Sequence, residues 1–198
     1  FENATLVKLS DTLIDAGWHI AWHNGLDITT TFDVYLYNDN VAAAGEYTVD
    51  LNGGAATGKM VAVDVDGDGV NDYFKLTVNP NVGSDKNGLV TLEDVHIGDT
   101  TFVVSTSGVN NKDYTSYWTA PTAATGNTLG KSVKATFTAV NEIDASEMLY
   151  VILESNGVEY KYEVYPAADG MSFTVEVTPT ATATYTLTYC EYTPDLNW

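Results

Sequence analysis

The run with the most evident chemistry is Asp64-Val65-Asp66-Gly67-Asp68-Gly69-Val70-Asn71-Asp72, a D-x-D-x-D-G-x-x-D pattern. Carboxylates at alternate positions of a tight loop converge on one point, and calcium, a hard cation, takes about six to eight oxygen ligands. The spacing predicts side-chain ligands from Asp64, Asp66, Asp68 and Asp72 and a backbone carbonyl from Val70. Gly69, at the sixth position, permits the sharp turn such a loop requires. The competing reading is a solvated acidic turn without metal, in which these side chains repel one another.

Other candidates carry less. His19-Ile20-Ala21-Trp22-His23 has the i, i+4 spacing of zinc-binding helices. A metalloprotease needs Glu directly after the first His as general base, and Ile20 stands there. A third ligand would have to come from His96 or a distant carboxylate, so the histidines read as surface residues. Tyr35 and Tyr37 share a strand face with Asp33. Aromatic planes flanked by carboxylates can stack on the C–H faces of sugars, so this pair is the candidate carbohydrate platform; the plainer reading is that strand tyrosines cover a second face. Trp18 and Trp22 read as core aromatics. Cys190 is the single cysteine, cannot form an internal disulfide, and has no motif supplying a base, so it reads as a buried thiol. There is no nucleophile elbow and no phosphate loop, and the chain reads as non-enzymatic.

The elements that position these residues alternate with period two. Phe32, Val34 and Leu36 alternate with Asp33, Tyr35 and Tyr37, and similar runs follow at Tyr47–Leu51, Val61–Val65, Phe74–Val78, Leu89–Val95 and Thr101–Thr106. Turn chemistry separates them at Gly53-Gly54, Asn79-Pro80-Asn81, Asp85-Lys86-Asn87-Gly88 and Gly98-Asp99. The acidic loop therefore lies between strand-like flanks, and its twelfth position is Lys75 where a helical EF-hand has a bidentate Glu. In this it resembles the EF-hand-like loops set between β-strands in extracellular bacterial proteins and in integrin-type repeats. Residues 10–24 are the helix candidate, with Ser10 as cap, Leu9, Leu13, Ala16 and Ile20 on one face and Gly25 at the C-terminal end; Gly17 opposes it, and the rival is a short strand bearing Trp18, Ile20 and Trp22 on one face.

Residues 108–130 lose the alternation and contain Asn110-Asn111, Pro121, Gly126 and Gly130, which suggests a division. The expectation is an all-β chain of two tandem β-sandwich domains, immunoglobulin-like or jelly-roll-like, with one short helix near the N-terminus. Residues 1–115 would form the domain with the calcium loop, 116–130 a linker and 131–198 an Ig-like domain. The last stretch shows five strands, with Asn156-Gly157 as a hairpin turn, whereas an immunoglobulin sandwich has about seven. Phe1–Leu9 is the candidate to fill an open edge, in its own first domain or in another copy by strand addition.

Composition limits the partners. There are 27 acidic residues against eight basic ones, all lysine, for a formal charge of −19. Binding to nucleic acid or to an anionic membrane surface needs cationic surface and is not expected, whereas cations are recruited. No apolar run reaches the roughly 20 residues of a membrane span, so no direct membrane insertion is expected. The sequence starts at Phe1, consistent with a cleaved signal peptide or a boundary within a longer chain, and Asn3-Ala4-Thr5 is a glycosylation sequon. The texture resembles bacterial and archaeal surface-layer and filament proteins. That resemblance implies a secreted or cell-surface structural module, stabilised by Ca2+, whose partners are copies of itself or neighbouring surface proteins. A carbohydrate-binding module with glycan partners is the alternative.

Overall fold

In the computed structural model, residues 7–24, 30–54, 56–79, 89–121, 123 and 127–191 are described. Among these residues the fold is all-β, with one short α-helix. Two units make it up: residues 1–97 with 126–131, and residues 98–125 with 132–198.

In the first unit, strand β1 (Val7–Leu9) leads into helix α1 (Asp11–Asp15). Ser10 caps the helix, its Oγ accepting from the Leu13 N–H at 3.3 Å and donating to the Glu93 carbonyl at 2.6 Å. The helix expected to continue to residue 24 stops here. Gly17 adopts φ +91°, a left-handed turn that a side chain resists, and Trp18–His23 runs on as strand β2. Helix thus forms before Gly17 and strand after it, but the strand does not hold Trp18, Ile20 and Trp22 on one face, because its register shifts between Ile20 and Trp22. Gly25, expected at the helix end, lies outside the described residues.

The remaining strands of this unit are β3 (Phe32–Asn38), β4 (Glu46–Leu51), β5 (Ala56–Val63), β6 (Tyr73–Val78) and β7 (Val90–His96). They form one seven-stranded sheet in the order β1-β7-β4-β5-β6-β3-β2, parallel only where β1 meets β7. A two-sheet sandwich was expected. Instead, Val34, Leu36, Val49, Met60, Phe74, Leu76, Val90 and Leu92 all enter one core from the same sheet. The edge strands β1 and β2 come within 8 Å of each other in Cα positions, so the sheet curls round that core. Bulges between Ile20 and Trp22 and between Asp50 and Leu51 add to the curvature. Leu13 of α1 and Ala16, which caps its C-terminus, are buried in the same core. Val7–Leu9 pairs within its own chain, with Val90–Leu92; residues 1–6 of the proposed donor segment lie outside the described residues.

Residues assigned to a linker return to this unit. The Leu129 N–H donates to the Val95 carbonyl at 2.7 Å, the Trp18 indole N–H donates to the Leu129 carbonyl at 2.9 Å, and the Leu129 side chain is fully buried. Gly130, at φ +86°, leaves room for the Asn38 amide, whose Nδ2 donates to the Ala16 carbonyl at 3.0 Å.

The second unit contains β8 (Thr101–Val104), β9 (Trp118–Thr119), β10 (Val133–Ala139), β11 (Leu149–Ser155), β12 (Val158–Val164), β13 (Ser172–Val177) and β14 (Thr184–Cys190). A three-stranded sheet, β13-β10-β9, and a four-stranded sheet, β12-β11-β14-β8, contribute to one core. Phe137 stacks on Phe173 at 5.2 Å, and Trp118 meets Phe173 edge-on at 4.7 Å. The five strands read from residues 131–198 are thus joined by two from earlier in the chain. Thr101–Val104, expected in the first domain, pairs in parallel with Thr184–Leu187.

Candidate metal centre and a neighbouring aromatic face

Strands β5 and β6 are antiparallel and end at the Val63–Tyr73 pair, where the Asp72 N–H donates to the Val63 carbonyl at 2.9 Å. The acidic loop hangs from this closed hairpin. Its shape comes from carboxylates accepting backbone N–H groups. Asp64 accepts from Gly67 at 2.6 Å and from Gly69 at 2.8 Å. Asp66 accepts from Asp68 at 3.1 Å, Asp68 from Val70 at 2.8 Å and Asp72 from Val65 at 2.9 Å. Gly67 and Gly69 sit at φ +82° and +91°, which explains the glycine at the sixth position. The Asp64 carboxyl lies below the usual aspartate value, chiefly through the Gly69 N–H and next through that of Gly67.

One potential ligand oxygen from each of Asp64, Asp66 and Asp72 lies within 4.8 Å of the other two, and all three side chains are exposed. This spacing is compatible with a shared cation at about 2.3–2.6 Å from each oxygen. The donor set, all hard oxygen, fits calcium or magnesium better than zinc or copper. Asp68 stands outside this trio, with its Oδ1 engaged by the Val70 N–H, and Val70 turns its side chain outward. Among the described residues this trio is the one group of three or more His, Cys, Asp or Glu side chains close enough to hold an ion. The histidines do not gather: His19 pairs with Asp39 at 3.0 Å, and His96 sits on β7 between Asp50 at 2.5 Å and Asp94 at 3.7 Å. Cys190 is buried, as expected.

The outer face of β2, β3 and β6 carries the tyrosines. Tyr35 stacks on Trp22 at 4.3 Å and 12°, and Tyr37 stacks on His19 at 4.8 Å and 16°; each is a cross-strand pair in register. Tyr73, directly after the acidic loop, points its ring edge-on toward Trp22 at 5.0 Å and Tyr37 at 6.5 Å. Asp33 accepts from the Thr77 hydroxyl at 2.7 Å. Trp18 is buried as expected, but Trp22 is 39% exposed and is no core residue. The bulge between Ile20 and Trp22 is the reason: one additional residue sends Trp22 to the face opposite Trp18. Alternation alone could not reveal Trp22 as a member of this face, whereas Tyr73 follows from its alternation with the buried Phe74 and Leu76.

Comparison with protein-family models, with curated proteins and with solved structures finds no match for the chain.

Proposed function

We propose that the chain is a non-enzymatic structural module of a prokaryotic cell-surface or extracellular assembly, such as a filament, surface layer or adhesin, and that calcium stabilises it at loop 64–72. The observation that carries this reading is the convergence of Asp64, Asp66 and Asp72 at the tip of a closed β5–β6 hairpin. Three carboxylates that close repel one another, and a divalent ion there removes the repulsion and ties the two strand ends together. Asp68 and the Val70 carbonyl complete the ligand set in this reading, after a small rearrangement of the loop. The net charge of −19, with no arginine, supports a setting rich in divalent ions. In the second unit, the parallel pairing of β8 with β14 beside antiparallel β10–β13 and β11–β14 supports an immunoglobulin-like arrangement. The carbohydrate reading draws less support, because Tyr35 and Tyr37 each already have one ring face against Trp22 or His19.

Thermal melting with calcium and after chelation tests the proposal. A site held 100-fold above its dissociation constant stabilises by about 2.7 kcal/mol. For a unit of this size that is a shift of about 10 °C or more. Asp66→Ala is expected to reproduce the chelated curve and to ignore added calcium. Identical melting with calcium and with chelator, together with no heat on calcium titration, sinks the metal reading.

A further inference from the structure

We propose that strand β12 is the seam of a two-fold dimer, pairing antiparallel with β12 of a second copy about Tyr160. The inference rests on the second unit alone and is independent of the calcium reading. Among the described residues β12 pairs only with β11, so its other edge is free. It differs from β13, the strand at the edge of the other sheet. The inward residues of β13, Phe173, Val175 and Val177, are buried, whereas Val158 and Tyr160 of β12 are 52% and 38% exposed although they lie opposite Ser155 and Leu153. The free edge thus carries uncovered apolar side chains along with unpaired backbone, the combination that strand addition satisfies.

The backbone fixes which pairings are possible. Asn156 and Gly157, at φ 51° and 77°, make a two-residue turn that closes on the Ser155–Val158 pair. The closing pair of such a hairpin exchanges hydrogen bonds, so Val158, Tyr160 and Tyr162 direct their backbone groups to β11. Glu159, Lys161 and Glu163 then direct theirs to the free edge. Two-fold axes at Tyr160, Lys161 or Tyr162 all match these groups across a seam.

Side chains select among the three. An axis at Lys161 sets lysine against lysine and Glu159 against Glu163, which is repulsive. An axis at Tyr162 leaves Val158 beyond the paired residues. An axis at Tyr160 sets Glu159 against the second copy's Lys161 twice, Tyr160 against Tyr160, and Val158 against Tyr162, so the two most exposed inward residues are covered. Lys161 already lies 3.8 Å from its own Glu159, so the seam would carry four charges of alternating sign. Main-chain bonds and apolar contact supply the affinity, and the charges set the register. The contact is self-complementary and closes at two copies.

Sedimentation velocity of the full chain across a concentration series tests this, with thermal melting to show that each variant folds. The altered side chains are exposed, so folding should be retained. The wild type is expected to dimerise. Lys161→Glu and Glu159→Lys should each raise the dimer dissociation constant by about tenfold or more. The double swap Glu159→Lys with Lys161→Glu should restore pairing. A wild type that stays monomeric at its highest soluble concentration overturns the proposal, as does a dimer indifferent to both single reversals. Rescue by Glu163→Lys with Lys161→Glu, in place of the first swap, overturns the axis at Tyr160.

Discussion

Truncating Leu129 to alanine distinguishes a linker from a piece of the first core. Leu129 is fully buried in the core of the first unit, although more than 30 residues separate it from Ile97, where the rest of that unit ends. Leu→Ala removes three carbons, worth about 0.8 kcal/mol each in lost transfer free energy, or about 2.4 kcal/mol. The cavity left behind adds to this, and fully buried leucines lose about 2.7–5.0 kcal/mol. The expected loss is therefore about 3 kcal/mol or more, a fall in melting temperature of about 12 °C or more for a unit of roughly 100 residues. The backbone contacts, Leu129 N–H to Val95 and Trp18 to the Leu129 carbonyl, survive the substitution, so the effect isolates the side chain. Native-state hydrogen exchange is the assay, because it reads each unit separately. Amides of β3 and β6 should lose protection while those of β10 and β11 keep theirs. A change within about 0.5 kcal/mol, the size expected of a surface or linker residue, or a loss confined to the second unit, refutes the reasoning.

Other expectations follow from single groups. Because backbone N–H groups lower the Asp64 carboxyl, its contribution to loop stability should be complete above the ordinary aspartate value of about 3.9 and disappear as pH falls through its lower folded value; carboxyl carbon chemical shifts read this, and a midpoint at or above the ordinary value contradicts it. Tyr185 is pushed up to about 12, first by burial and then by Tyr160 and Tyr162, so the folded state holds its proton where the unfolded chain has lost it. Stability should hold below about pH 10 and fall as pH rises toward 12; Tyr185→Phe should lessen that alkaline loss, and an unchanged pH profile in this variant would refute the assignment. A Cβ on Gly108 would lie 1.7 Å from the buried Tyr114 ring, so Gly108→Val should destabilise the second unit by about 1–3 kcal/mol in urea titration, and a neutral result would mean that the ring moves freely.

The features legible in the sequence are those that one short segment specifies. Alternation located the strand cores, since the inward set of a strand such as Phe32–Leu36 is fixed by period two. Asn156-Gly157 named its hairpin because both positions need positive φ. Asp64, Asp66, Gly69 and Asp72 showed the loop because its geometry is closed by bonds among neighbours. Tertiary structure decided the rest. It left Asp68 outside the converging trio and moved Trp22 to the outer face through a bulge. It sent Thr101–Val104 to a partner strand beginning at Thr184 and returned Leu129 to the core that Leu13 and Trp18 enter. The physical reason is the same in each case. Which of several equally apolar strands covers an open edge, and which face a bulged residue takes, depends on free energies of burial between segments distant in sequence, and no local period or spacing records those.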